Sequence, residues 1–292
     1  MTLALLGTGL LGSAIATRLL GSGHSLWVWN RTPQRLAPLV EAGARAAATP
    51  AEAAAGADWL ISVLSDGPTT AAVLLDQVGD SLAGRNILQM GTIGVAESIA
   101  LADAVTARGG RYLEAPVLGS RPEALAGSLQ LMAGGPADLV EAAMPLLQEL
   151  SGAPRHLGPV GSAMATKLAL NQLIASLTHA FSLSLHLIQR QGVEVEPFMQ
   201  LLRDSALYAP TFDKKLQREL EGDYGNPNFP TAHLRKDLAL FLNAARSAGL
   251  EAGGLDGLLR LLEGATPAGI DALDYCALHS LTAGHAAAEA LP

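Results

Sequence analysis

Six residues, Gly7-Thr8-Gly9-Leu10-Leu11-Gly12, constrain this chain more than any other segment. They follow a short apolar run, Thr2 to Leu6, that reads as a strand. They lead into Ser13 to Leu20, which reads as a helix, and a second strand, Ser25 to Trp29, comes soon after. A GxGxxG turn in that setting has a physical purpose. Gly7 permits the tight turn, Gly9 leaves room for a pyrophosphate, and Gly12 lets helix and strand approach closely. The helix N-terminus offers N–H groups and the positive end of its dipole to phosphate. All six residues are therefore candidate contacts of a dinucleotide cofactor.

The end of the second strand selects the cofactor. A reader of NAD usually places Asp or Glu there, to accept from the ribose hydroxyls. This chain has Asn30-Arg31-Thr32. No carboxylate repels a 2′-phosphate, Arg31 can pair with it, and Asn30 and Thr32 can add hydrogen bonds. NADPH/NADP is the expected cofactor, with NADH possible. Leu64 and Ser65, at the end of the next strand, join the expected cofactor set.

The first half alternates strands and helices. Further strands are expected at Trp59 to Leu64, Asn86 to Met90, from Arg111, and at Leu129 to Ala133. Pro33 to Glu41 reads as helical, and Thr49-Pro50 as a helix cap. That alternation predicts an α/β Rossmann domain with a parallel-rich sheet over residues 1–161. From Ala163 the pattern is almost wholly helical, with breaks near Gly192, Pro210, Gly222 to Pro230 and Gly264 to Gly269. Residues 162–292 are expected to form an all-helical substrate and dimerisation domain, joined through a long helix.

Composition narrows the function. With 27 acidic against 19 basic side chains, the chain lacks the excess of a nucleic-acid binder. The apolar N-terminus has no basic flank and is broken by glycines, so it reads as a strand and turn and not as a signal sequence. The apolar stretch near 163–189 contains Lys167, Asn171, His179 and His186, which points to a buried helix of a soluble, cytoplasmic protein. Cys276 is the single cysteine and reads as a buried hydrophobe. The histidines show no metal-ligand spacing, so no metal is expected. Tyr208 and Phe212 are expected to pack in a core or at a dimer contact.

Lys167 and Asn171 stand four apart and share one helix face. A lysine within an apolar helix is unusual, because an unpaired buried charge is costly. Placed beside a nicotinamide, Lys167 could pass a proton to the oxygen that gains charge as hydride arrives, with Asn171 holding that oxygen or the lysine. On pattern alone, a lysine reaching to the surface remains open.

The chain resembles the β-hydroxyacid dehydrogenase family, which includes 3-hydroxyisobutyrate dehydrogenase and the glyoxylate/succinic semialdehyde reductases. The resemblance runs nearly end to end. It comprises the glycine turn, Gly91-Thr92, Glu114-Ala115-Pro116-Val117 with Gly119, Gly161 with Lys167 and Asn171, Lys236-Asp237, and Gly269 to Tyr275. The Asn30-Arg31-Thr32 strand end is similar to the NADPH-using glyoxylate reductases.

The resemblance implies roles. Thr92 and Lys236 would meet the cofactor. Val117 to Ser120, with Leu118, Gly119 and Ser120 as contacts, would bind the substrate carboxylate. Lys167 would be the acid/base and Asn171 its partner, while Phe229 and Asp237 would shape the pocket. The implied reaction moves hydride between nicotinamide and a small hydroxy or oxo acid, in a homodimer or homotetramer. Two departures stand out. Leu118 replaces the family's serine, which leaves anchoring to Gly119 and Ser120, and Gly91 replaces another serine. Imine reduction and NADPH binding without turnover remain alternatives.

Overall fold

The computed structural model describes residues 1–284. The chain forms two compact units, Met1–Leu168 and the residues from Ala169 onward.

The first unit alternates strand and helix as β1 (Thr2–Leu6), α1 (Leu10–Gly21), β2 (Ser25–Trp29), α2 (Ala37–Glu41), β3 (Arg45–Ala46), α3 (Pro50–Ala54), β4 (Trp59–Ser62), α4 (Gly67–Ala71), β5 (Asn86–Gln89), α5 (Val95–Ala107) and β6 (Arg111–Glu114). It continues with β7 (Val117–Leu118), α6 (Arg121–Ala126), β8 (Gln130–Gly134), α7 (Ala137–Leu150) and β9 (Arg155–Gly158). The strand order is β3-β2-β1-β4-β5-β6-β8-β7, and β9 pairs with β8. Strands β1 to β6 pair in parallel. β8 then runs antiparallel to β6 and β7, so the sheet is parallel-rich and reverses at one side. The order turns back at β1 and β4, which is where an open α/β sheet leaves a crevice beyond its strand ends.

Burial on both faces explains why these strands read as unbroken apolar runs. Leu3, Leu5, Ile61 and Leu88 enter one core, and Ala4, Leu6, Leu60 and Ile87 enter the other. The expected helix at Ser13 begins earlier, at Leu10, because the glycine turn feeds directly into the first helical turn. Thr49 caps α3 as expected, its hydroxyl accepting from the Glu52 N–H at 3.1 Å. Three strands were not anticipated: β3, β7 and β9.

Helix α8 (Ser162–Arg190) begins in the first unit and continues in the second. Its first turn is gripped by a side chain. Glu114, fully buried at the end of β6, accepts N–H bonds from Gly161, Ala163 and Met164 at 2.9, 2.8 and 3.1 Å. Its other oxygen accepts from the Ser98 hydroxyl at 2.6 Å. Helix starts leave such N–H groups unsatisfied unless a cap supplies acceptors. Burial pushes the Glu114 carboxyl above its usual range, while these donors pull it back toward the charged form.

The second unit adds α9 (Val195–Arg203), α10 (Pro210–Glu221), α11 (Thr231–Ser247), α12 (Asp256–Glu263) and α13 (Leu278–Thr282). By length and composition α8 could cross a membrane. Part of its apolar surface is used within the fold, while Leu173, Leu183 and Leu187 are exposed. Ala175 packs with Leu234 and Leu238, and Phe181 and Leu185 pack with Met199 and Phe212. Tyr208 and Phe212 belong to this core, with Phe212 stacked on Phe181 at 4.7 Å.

Glu114→Ala is expected to destabilise the protein by about 3 kcal/mol or more, because it orphans three buried N–H groups and leaves a cavity. Glu114→Gln, which keeps one acceptor oxygen, is expected to cost less. Urea denaturation of the two variants beside the wild type checks the ranking.

Candidate cofactor and substrate site

The glycine turn lies at the C-terminal end of β1. Gly7 has φ +99°, and a Cβ there would sit 2.4 Å from the Val63 carbonyl oxygen. A Cβ on Gly12 would sit 2.0 Å from the Gly7 oxygen, so this glycine is demanded by the fold itself. Gly9 differs. A Cβ there meets nothing within 4 Å, and its φ of −72° suits any residue. Nothing among the described residues explains that glycine, whereas a pyrophosphate resting on the turn would. The residues present thus fit a dinucleotide. Leu10 is exposed, Leu11 is half-buried, and the buried Thr8 hydroxyl has no hydrogen-bond partner among the described residues.

Asn30 ties the two cofactor segments together. Its Oδ1 accepts from the Thr8 N–H at 3.2 Å, and its Nδ2 donates to the Thr32 carbonyl at 3.0 Å. Both ends of its amide are thereby used within the turn. Arg31 and Thr32 are exposed beyond it. Arg35, four residues on in a single helical turn (Pro33–Leu36), is exposed as well. Sequence reasoning passed over this second cation, although its four-residue spacing from Arg31 is the signal that would have shown it.

Leu64 and Ser65 follow β4, and the Leu64 side chain lies 3.0 Å from where a Gly7 Cβ would stand. Thr92 is half-buried after β5. Its neighbour Gly91 departs from the resemblance for a reason visible here. A Cβ on Gly91 would fall 2.5 Å from the Leu64 carbonyl oxygen. The Gln89 side chain accepts from the Gly91 N–H at 2.6 Å and donates to the Gly91 carbonyl at 2.9 Å. That close approach leaves no space for serine.

The turn after β7 places Leu118 half-buried and Gly119 exposed with φ +121°. The Ser120 N–H and the Ser120 hydroxyl both donate to Glu123 Oε2, each at 2.8 Å. Glu123 was missed in the sequence, although Ser120-Arg121-Pro122-Glu123 carries the S-x-x-E spacing of a helix-capping pair. Lys167 lies in the first turns of α8, five residues beyond Ser162, and is 8% exposed.

The second unit contains the remaining candidates. Asn171 is 1% exposed, and its Nδ2 donates to Asp237 Oδ2 at 2.6 Å. The buried Asn171 Oδ1 has no hydrogen-bond partner among the described residues. Lys236 pairs with Asp237 Oδ1 at 3.0 Å. Phe229 precedes α11, with the His233 ring 6.2 Å away. Its loop is fixed by Asp274, which accepts from Lys215 Nζ at 2.7 Å and from the Asn228 N–H at 3.3 Å. The Tyr275 N–H also donates to the Phe229 carbonyl at 2.9 Å. Burial works against the Asp274 charge, but Lys215 holds its carboxyl below the usual range. Cys276 is fully buried, and burial pushes its thiol up to about 12.

The pattern of the NAD-binding domain of 6-phosphogluconate dehydrogenase matches residues 2–170. That of the NAD-binding region of NADP-dependent 3-hydroxyisobutyrate dehydrogenase matches residues 161–282. The chain belongs to the β-hydroxyacid dehydrogenase family. Members of this family are NAD(P)-dependent dehydrogenases and reductases, and the chain is an enzyme of that kind. It is 33% identical to glyoxylate/succinic semialdehyde reductase 1 of Arabidopsis thaliana over 83% of this chain and 84% of that protein. Its fold is like that of 3-hydroxyisobutyrate dehydrogenase from Mycobacterium tuberculosis, with TM-score 0.86, 23% identity, and coverage of 96% and 98% of the two chains. A reductive aminase from Aspergillus terreus is also similar, with TM-score 0.62, 29% identity, and coverage of 96% and 98%.

Gly9→Ala is expected to leave the melting temperature unchanged and to weaken dinucleotide binding at least about tenfold, since only a ligand needs that space. Gly12→Ala is expected to lower the melting temperature itself, because its Cβ would collide with backbone. Thermal melts with and without cofactor, beside a fluorescence titration of NADPH, separate the two effects.

Proposed function

We propose that this member of the family moves a hydride between NADPH and the carbonyl carbon of a short oxo compound, or the reverse from its alcohol, with Lys167 as proton donor and acceptor. The observation that carries the reading is Lys167 itself. An ammonium is held almost out of water in a helix whose start is anchored by Glu114, in the unit that also presents the glycine turn. A buried lysine is expensive, and proton transfer at a reacting oxygen is a use that repays the cost.

When bound, the nicotinamide supplies or takes the hydride. The protein's residues do the rest. The turn at 7–12 receives the pyrophosphate against the N-terminus of α1. Arg31, with Arg35 beside it in sequence, provides fixed positive charge for a 2′-phosphate, which supports NADPH over NADH. Lys167 Nζ holds the proton that the substrate oxygen acquires in reduction. Asn171, its amide oriented by Asp237, offers Oδ1 as an acceptor.

Imine reduction is the second reading, favoured by the likeness to the reductive aminase. Lys167 argues against it, because it suits protonation of an oxyanion. Turnover of a cyclic imine, with none of any oxo compound, would reverse this ranking.

The test is NADPH oxidation with glyoxylate, succinic semialdehyde and uncharged aldehydes. Lys167→Ala is expected to lower kcat at least about 100-fold while cofactor binding persists. Activity within tenfold of wild type would remove the proton-transfer role. Arg31→Ala is expected to raise the KM for NADPH about tenfold and to leave that for NADH nearly unchanged, as loss of one charged contact predicts.

A further inference from the structure

We infer that the end of the substrate that meets the turn at Leu118–Ser120 is uncharged, an ester, amide or alkyl group, and that Leu118 and Glu123 together set this specificity. The inference rests on the hydride-transfer reading above and deepens it.

A carboxylate is held by converging donors, because each of its oxygens loses several water hydrogen bonds on entering a site. The side chains and amides of this turn could in principle supply them. Position 118 carries leucine, which has no side-chain donor, and its half-buried apolar surface suits an alkyl group. Position 120 carries serine, but both of its donors are already committed. The Ser120 N–H and the Ser120 hydroxyl each reach the same Glu123 oxygen at 2.8 Å. Bonds to a charged acceptor are stronger than neutral ones, so an incoming ligand must outcompete Glu123 to recruit them. At most the Gly119 amide remains for an anion in this turn.

The consequence reaches past binding. A site built around donors rejects a ligand that lacks their acceptor, whereas a site whose donors are spent internally penalises the ligand that needs them. The discrimination therefore runs against acids of otherwise suitable length.

The experiment compares succinic semialdehyde with its methyl ester, methyl 4-oxobutanoate. The two share the reacting aldehyde and differ only at the far end. Affinity is measured by calorimetry on NADP-loaded protein, and kcat/KM by NADPH oxidation. The wild type is expected to favour the ester at least about tenfold by both measures. Leu118→Ser, which supplies a hydroxyl, and Glu123→Ala, which releases the Ser120 donors, are each expected to shift the ester-to-acid ratio toward the acid by about tenfold or more. A ratio taken within one preparation is insensitive to any loss of folded protein caused by removing a helix-capping residue. Tighter binding of the acid by the wild type, binding of neither compound, or a ratio unmoved in both variants overturns the inference. If the ester binds better but neither compound is reduced, the hydride-transfer reading falls while the specificity of the turn stands.

Discussion

The organisation of the first unit depends on one buried carboxylate. Glu114 ends β6 with no exposure to water, and three N–H groups at the start of α8 converge on one of its oxygens. The chain leaving β6 passes through Ala115 and Pro116 into β7 and the Leu118–Ser120 turn. The helix that Glu114 holds carries Lys167 within its first two turns. A single side chain thus registers the sheet, the Leu118–Ser120 turn and the lysine against one another. Ser98 and Tyr112 extend the network into α5 and the middle of β6, with the two hydroxyls 2.9 Å apart. Burial of Tyr112 raises its phenol far above the ordinary range, so it remains a neutral hydrogen-bonding group.

The Rossmann half was readable because its signals are local. A β-strand entering a glycine turn and a helix is written in consecutive residues, and strands buried on both faces appear as continuous apolar runs. The strands that went unread lack those signals. β3 is two exposed residues, Arg45 and Ala46, and most of β9 is exposed. The antiparallel direction of β8 is set by the reversal through β7 and α6, and no hydrophobic periodicity encodes strand direction. In the second unit the helix breaks near Gly192, Pro210 and Gly222 were legible from glycine and proline. The break after Ser247 went unread, although Gly249, with φ +72°, is the same kind of left-handed stop signal.

Among the candidate residues, type and spacing single out Lys167, Asn171 and the glycine turn. What they could not show is where hydrogen bonds already go. Ser120 looks available in the sequence and is engaged by Glu123 in the fold. Gly91 looks like the loss of a hydroxyl, but the Leu64 backbone lies so close that only glycine fits. Chemistry is legible residue by residue, whereas availability is a property of the assembled network.

Asn30 carries a consequence for how the cofactor preference of this chain could ever change. Its amide accepts from Thr8 and donates to Thr32, stapling the glycine turn to the loop that carries Arg31. An aspartate at that place would still receive the Thr8 N–H, yet it would set a carboxylate oxygen against the Thr32 carbonyl. Two acceptors would then face each other without a proton between them. Exchanging one nucleotide for the other is therefore coupled to the bend of the backbone. If Arg31 selects NADPH as proposed, deleting that cation would not suffice unless Thr32 found a new donor in the same step.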